Sequence, residues 1–260
     1  QKTAYEDHCV TGVQTCALPI YPRFRVDLIA ATPQPQQCIY AAMHQDYSEG
    51  YVVDDRSDWP DEARAGEICV KRLLAGERGH FGPLEHAQIV LNVGWFPHSV
   101  MQQARTHRVG VSFDVQSMRY TGERICRAAR GDIDLEEVIY LRPVGSYSDR
   151  QGKKYAYTAE QRATDLELCR RAAERYAELL AAGFAEEHAR GLLPFDYRQH
   201  FVVSFSLRAF LHFLDLRAKL DAQEEIRALC DLMWPHLQAW APEIAAWYEK
   251  TRLHRARLAP

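Results

Sequence analysis

Apolar positions recur along this chain with two spacings, every second residue and every third or fourth, and the switch between them marks its elements. Residues 24–30 alternate and predict a strand with Phe24, Val26, Leu28 and Ala30 on one face, ended by the turn-rich run Thr32-Pro-Gln-Pro-Gln-Gln37. Residues 61–75 predict a helix through Ala63, Gly66, Val70 and Leu73, closed by Gly76 and Gly79. Ala87–Trp95 alternates again, with Ile89, Leu91, Val93 and Trp95 together on one face. Pro97 opens a short helix that runs to about Thr106. Val111, Phe113 and Val115 predict a strand that carries Ser117 and Arg119 onward on the same face, and Val138–Val144 predicts another.

The second half reads as helical. Thr158-Ala-Glu-Gln161 fits a capping box, followed by Leu166, Cys169, Ala173, Tyr176 and Leu180 at helical spacing up to Gly183. Ala185–Leu193 is a short helix stopped by Pro194, and Phe201–Lys219 is a strongly apolar one. Ala222–Trp240 turns Ile226, Leu229, Met233 and Leu237 inward, with Pro235 placed to kink or split it, and Pro242 opens the last helix. Strands and helices do not alternate as βαβ units. The pattern predicts an α+β fold, a mixed or antiparallel sheet flanked by helices with a helical C-terminal half, in a single domain over residues 21–260.

Residues 1–20 break this pattern, showing neither period nor the charged start and apolar stretch of a signal peptide. Residues 10–20, Val-Thr-Gly-Val-Gln-Thr-Cys-Ala-Leu-Pro-Ile, read as the translation of a common sequencing-library adapter, and residues 1–6 as its outer end. The segment is set aside as an artefactual, disordered extension.

Composition narrows the classes. With 260 residues, 47% hydrophobic and 26% charged, the chain is an ordinary globular protein rather than a disordered one. A net charge of −3 weighs against a nucleic-acid partner. No run of 18 apolar residues occurs, so no membrane span is expected. Seven scattered cysteines without a CxxC motif read as reduced thiols of a cytoplasmic protein.

Candidate chemistry gathers in residues 101–130, which hold six arginines and two acids in a chain that is net negative. Arg124, Arg127 and Arg130 read as a solvated face. Arg105, His107, Arg108 and Arg119 are interleaved with apolar residues, where a guanidinium fork suits phosphate or carboxylate. On the apolar helix, Arg208, His212 and Asp215 share one face. Arg217 lies opposite them with Phe210 and Leu214, so it either meets an anion or snorkels out to a carboxylate. His80-Phe-Gly-Pro-Leu-Glu-His86 lacks the HExxH spacing that places two histidines on one helical face, so no metal is expected there. No GxGxxG follows a strand, and neither a P-loop nor a GxSxG motif is present.

Arg105-Thr-His-Arg108 followed by Ser117-Met-Arg-Tyr120 resembles the signature of the flavin-dependent thymidylate synthases, an Arg-His-Arg triplet, about seven residues, a serine and then Arg-Tyr. The likeness runs from about Phe24 to Pro260. It takes in His80 to His86, Ala189-Arg190 with Leu193-Pro194, and Ser206-Leu-Arg208 through His212, Arg217 and Ala222-Gln-Glu-Glu-Ile226. Three departures stand out. Thr106 replaces the first arginine, with Arg105 one step earlier; eight residues separate Arg108 from Ser117; and Ser206 and His212 stand where the family carries asparagine.

The resemblance implies an FAD-dependent methyltransferase that makes dTMP from dUMP, with methylenetetrahydrofolate as carbon donor, NADPH as reductant, and a homotetramer with shared active sites. It places Gln103, Ser117, Arg119, Arg190 and Arg217 at dUMP, with Arg217 and Ser117 as the catalytic candidates. It places His80, Glu85, Arg105, His107, Arg108, Ser206, Arg208 and His212 around FAD, and leaves either Asp114 or Gln116 to meet the uracil. Ser117 is expected to hydrogen-bond the nucleotide rather than attack it, since no base is tied to it in the sequence. Two other readings stay open: a non-catalytic nucleotide- or RNA-binding protein using the arginine-rich segment 105–130, and a metal hydrolase using His80, His86 and His107.

Overall fold

A computed structural model of the protein describes residues 23–76, 79–149 and 151–255, so the segment 1–20 lies outside the described residues. Strand β1, Arg25–Ala31, leads into helix α1, Pro35–Gln45. The alternation expected of β1 is broken by a bulge between Leu28 and Ala30, and Leu28 and Ala30 are exposed. The proline-rich run that reads as a turn instead starts α1. Pro35 supplies a helical φ in the first turn, and Ile39 and Met43, four apart, fix the inner face.

Helix α2, Glu62–Cys69, is capped by Asp61, whose carboxylate accepts from the Arg64 amide at 2.8 Å, and it continues as a π turn over Val70–Leu74. Its inner face is Ala65, Gly66, Cys69 and Leu73, while Ala63 faces solvent. After a 3₁₀ turn at Gly82–Glu85 comes strand β2, Gln88–Pro97, with Ile89, Leu91 and Val93 wholly buried. The alternation fails at Trp95, which has φ +64 at a slip in the ladder between Val93 and Phe96. Phe96 takes the core position and stacks on Phe24 at 4.0 Å, and Trp95 is left half-buried.

Helix α3, His98–Ala104, and strand β3, Val111–Val115, follow as expected. The strand stops there. Ser117 begins the short helix α4, Met118–Thr121, so Ser117 and Arg119 do not continue a strand face. Helix α5, Glu123–Arg130, ends at Gly131 with φ +80. The expected strand at Val138–Val144 is reduced to one bridge, Ile139 to Tyr197, with the Ile139 amide turned back to the Leu135 carbonyl and the Tyr140 amide given to the Asp196 carbonyl. A hairpin follows instead, β4, Gly145–Ser148, and β5, Lys154–Tyr157. Helix α6, Ala159–Ala181, has the full capping box at Thr158 and Gln161 and buries Cys169, Ala173, Tyr176 and Leu179. Helix α7, Glu186–Ala189, passes into a 3₁₀ turn that ends before Pro194.

The largest departure lies at Phe201–Lys219. Arg198–Ser206 is strand β6, and only Leu207–Arg217 is helix α8. Phe201, Val203 and Phe205 are buried on one side of β6, with β-branched Val202 and Val203 among them, and Ser206 caps α8 by accepting from the Ala209 amide at 3.2 Å. Helix α9, Glu224–Trp240, runs through Pro235 without splitting, and α10, Pro242–Thr251, is the last element among the described residues.

The main sheet has the order β1-β2-β6-β3 and every pairing is antiparallel, which makes the fold α+β. One core packs the sheet against α1, α2, α8, α9 and α10, and a second lies under α5, α6 and α7. Among the described residues, no helix is long and apolar enough to cross a membrane.

Candidate active site

The register of β3 against β6 sets the site. Val111 faces Phe205 and Val115 faces Phe201, so the α3–β3 turn is held beside the start of α8. Gly110 closes that turn with φ +67, and a side chain there would meet the Ser206 hydroxyl at 2.5 Å. The Ser206 amide donates to the Gly110 carbonyl at 2.8 Å. Ser206 is 2% exposed, and its hydroxyl serves as the helix cap, so it faces the protein rather than a ligand.

This turn brings Thr106, His107 and Arg108 against His212 and Arg217 of α8, around a groove of about 310 Å3, with Gln103 behind it. Arg217 does not meet a carboxylate among the described residues. Its Nε donates to Nε2 of His107 at 3.0 Å, and its Nη2 to the Gln103 carbonyl at 3.0 Å and the Thr106 hydroxyl at 2.8 Å. Thr106, where the family triplet has an arginine, thus supplies an acceptor to Arg217. Burial, then the Arg217 charge, then His212 push His107 down to about 4, so the ring is neutral at pH 7. Nδ1 of His212 is buried without a partner and is a donor or acceptor left for a ligand.

Arg119 is tied to Glu187 at 3.0 Å, which joins α4 to α7 and its exposed neighbour Arg190. Arg190, Arg124 and Arg105 all act electrostatically on the Tyr197 hydroxyl, so the two arginine groups border one region. Arg105, Arg108, Arg190 and Arg217 have no carboxylate partner among the described residues, and unneutralised guanidinium groups on one surface are what an anionic ligand requires. Arg127 and Arg130 are exposed as expected, but Arg124 is not a solvated residue. It reaches the Arg198 carbonyl, its Nε is buried unpaired, and burial lowers its pKa.

The remaining candidates flank α8. Arg208 pairs with Glu85 at 2.6 Å, and His80 Nε2 lies 3.2 Å from Asp46. Asp215, expected on the same face, is 2% exposed and bound instead by Arg252 at 3.0 Å and the Tyr248 hydroxyl at 2.9 Å. The Ser117 hydroxyl is half-buried, and Ser117 caps α4 without a side-chain bond. Asp114 is exposed, whereas Oε1 of Gln116 is buried and unpartnered. The three histidines of the metal reading do not form a ligand set: Nε2 of His107 is taken by Arg217, and among the described residues no group of three metal-ligating side chains gathers.

A second layer had no assigned role in the sequence. Gln103 donates its amide to Gln223, and Gln223 donates to Glu225 at 2.7 Å. Glu225 is 1% exposed, held by Arg142 at 2.6 and 3.0 Å and by the Tyr140 hydroxyl at 2.8 Å. The run Ala222-Gln-Glu-Glu-Ile226 was its only signal.

A family model described as thymidylate synthase complementing protein matches residues 27–243. The flavin-dependent thymidylate synthase of Halobacterium salinarum is 33% identical, covering 91% of this chain and 100% of that protein. That of Haloarcula marismortui is 34% identical, covering 90% and 99%. A crystal structure of the UMP/dUMP methylase PolB from Streptomyces cacaoi bound with 5-Br dUMP is similar with a TM-score of 0.69 at 21% identity, covering 91% of this chain and 97% of that one, a likeness of fold.

Proposed function

The chain belongs to the thymidylate synthase complementing protein family, the flavin-dependent thymidylate synthases, and from that premise we propose which of its residues carry the reaction. The protein methylates dUMP to dTMP as an FAD-dependent enzyme. The observation that carries the assignment of residues is the set of arginines without carboxylate partners among the described residues, Arg108 and Arg217 beside a neutral His107 and Arg105 and Arg190 near Tyr197.

Arg190 and Arg119 hold the dUMP phosphate, with Ser117 as a hydrogen-bond donor to the nucleotide. Gln103 meets the uracil and is oriented through Gln223 by the buried Glu225–Arg142 pair. Arg217 balances the negative charge that grows on the uracil as C5 becomes nucleophilic. Its three acceptors, all neutral at pH 7, fix its fork without cancelling its charge. Of the two candidates for the uracil, the buried free acceptor of Gln116 favours it over exposed Asp114.

The donor set fits FAD. Arg105 and Arg108 suit its pyrophosphate, and the orphaned Nδ1 of His212 suits a polar atom of the cofactor. His80, Glu85 and Arg208 line the adjoining edge. Held by these residues, FAD would supply the redox chemistry that links NADPH to the one-carbon unit of methylenetetrahydrofolate. His107, held neutral, accepts from Arg217 and does not act as an acid at pH 7. Among the described residues no cysteine thiolate is at hand, since burial raises Cys69 to about 12 and Cys169 to about 11 and moves Cys38, Cys126 and Cys230 the same way.

The five described cysteines are unpaired, which supports a cytoplasmic setting. A homotetramer with shared sites is supported by large apolar residues exposed beside the arginines, Val109, Tyr120, Leu192 and Phe195, and by Leu28 and Ile29 on the sheet edge. The test is to purify the protein, record the yellow absorbance of bound flavin, and follow dTMP formation from dUMP, methylenetetrahydrofolate and NADPH. A colourless protein that binds dUMP without turnover would favour the nucleotide-binding alternative.

A further inference from the structure

Away from the dUMP groove, a second and larger groove of about 740 Å3 opens between α1 and α2. Its α2 wall is built by sequence spacing. Arg64, Ile68, Lys71 and Arg72 stand at i, i+4, i+7 and i+8, one helical face. The last two sit on the π turn, where the Ala75 amide donates to the Val70 carbonyl at 2.8 Å. A π turn widens the backbone at a cost and is frequent where a helix meets a ligand.

The cations differ in a useful way. Arg64 is tied to Glu67 at 2.5 Å, and His80 at the mouth is beside Asp46. Lys71 and Arg72 are both exposed, and among the described residues neither has an ion-pair partner. The α1 wall is aromatic. Tyr40 and His44 stack with ring centroids 5.5 Å apart and planes at 15°, and Tyr47 is 75% exposed. Flat rings lining the same groove as two adjacent, unneutralised cations suit a ligand with an aromatic base and a phosphomonoester, whose near-double charge sits at one point. A polyglutamyl chain, by contrast, spreads single charges along its length. The volume lies within the range of small-molecule and cofactor sites.

We propose that this groove binds the 2′-phosphoadenosine half of NADPH, with Lys71 and Arg72 on the 2′-phosphate and Tyr40 or Tyr47 on the adenine, and so selects NADPH over NADH. The assignment rests on the reading that His80 borders FAD, because the nicotinamide must reach the flavin from the His80 end of the groove.

The experiment uses the FAD-loaded protein and the variant Lys71→Gln/Arg72→Gln, whose side chains are exposed and outside the core. Binding of adenosine 2′,5′-bisphosphate is measured by calorimetry, which needs no turnover and answers even if no dTMP is formed. In parallel, KM for NADPH and for NADH is read from anaerobic flavin bleaching. The expected result is weakening of bisphosphate binding by at least about tenfold, one charge-assisted contact, with a matching rise in the KM of NADPH and none for NADH. Absence of bisphosphate binding to the unaltered protein, equal binding to both proteins, or an equal rise for both reductants would overturn the proposal. So would unchanged bisphosphate binding with a raised KM for polyglutamylated methylenetetrahydrofolate, which would assign the groove to the folate tail.

Discussion

The guanidinium of Arg217 donates from Nε to Nε2 of His107 across 3.0 Å, joining the end of α8 to the turn after α3. This bond places the imidazole proton on Nδ1, and with burial it keeps the ring uncharged. The arginine proposed to meet the substrate and the histidine of the family signature are therefore one unit, and a change to either is felt by both.

The first consequence concerns pH. The His107 pKa is about 4 in the folded protein against an ordinary 6.5, so between these values the unfolded chain binds more protons. Its contribution to stability is fully present above pH 6.5 and is lost as pH falls toward 4. Urea unfolding of the wild type should lose roughly 2 kcal/mol more between pH 7 and pH 4.5 than His107→Gln does. Parallel pH profiles for the two proteins would sink this reading.

On the proposed role of Arg217, Arg217→Ala deletes a charge-assisted contact to dUMP worth about 1.5–3 kcal/mol, so dUMP affinity should fall roughly ten- to a hundredfold. The same change removes the cation beside His107, so its titration, followed by NMR, should move up toward the ordinary value. Arg217→Lys keeps the charge but cannot reach His107, Gln103 and Thr106 together, and should be intermediate. Wild-type dUMP affinity in Arg217→Ala would remove this residue from the site.

Single alanine replacements of Cys38, Cys69, Cys126, Cys169 and Cys230 should each leave dTMP synthesis measurable, because burial raises all five thiols and leaves almost no thiolate at pH 7. Cys69 and Cys230 are wholly buried, so their variants should cost stability rather than chemistry. Loss of turnover in one variant that still binds flavin and dUMP would point to a thiol nucleophile.

Ser117→Ala should also keep measurable turnover with weaker dUMP binding, by about 0.5–1.5 kcal/mol for a neutral hydrogen bond and up to about 3 kcal/mol for a charged acceptor. A serine nucleophile needs a base within hydrogen-bond reach, and the nearest signature histidine, His107, has its acceptor nitrogen occupied by Arg217. A variant that binds dUMP and reduces flavin normally but forms no dTMP would assign covalent chemistry to the hydroxyl.

Local patterns determined much of this protein from sequence alone. The capping box at Thr158, the buried stripe of α9 and the alternation of Ile89, Leu91 and Val93 depend on neighbours a few residues away, and the structure repeats them. The arginine-rich signature was legible because so many guanidinium groups among apolar residues are rare without an anion to receive them. Tertiary contacts decided the rest. Phe201–Ser206 reads equally well as buried helix or buried strand, and it became β6 because β2 and β3 supply backbone partners on both sides. Trp95 lost its core position to Phe96 through a ladder slip that no single-strand pattern records. The partners of Arg217, the burial of Asp215 under α10 and the chain from Gln103 through Gln223 to Glu225 join residues far apart in the chain. Such pairings come from packing, which places side chains by volume and hydrogen-bond demand and leaves no period in the sequence to read.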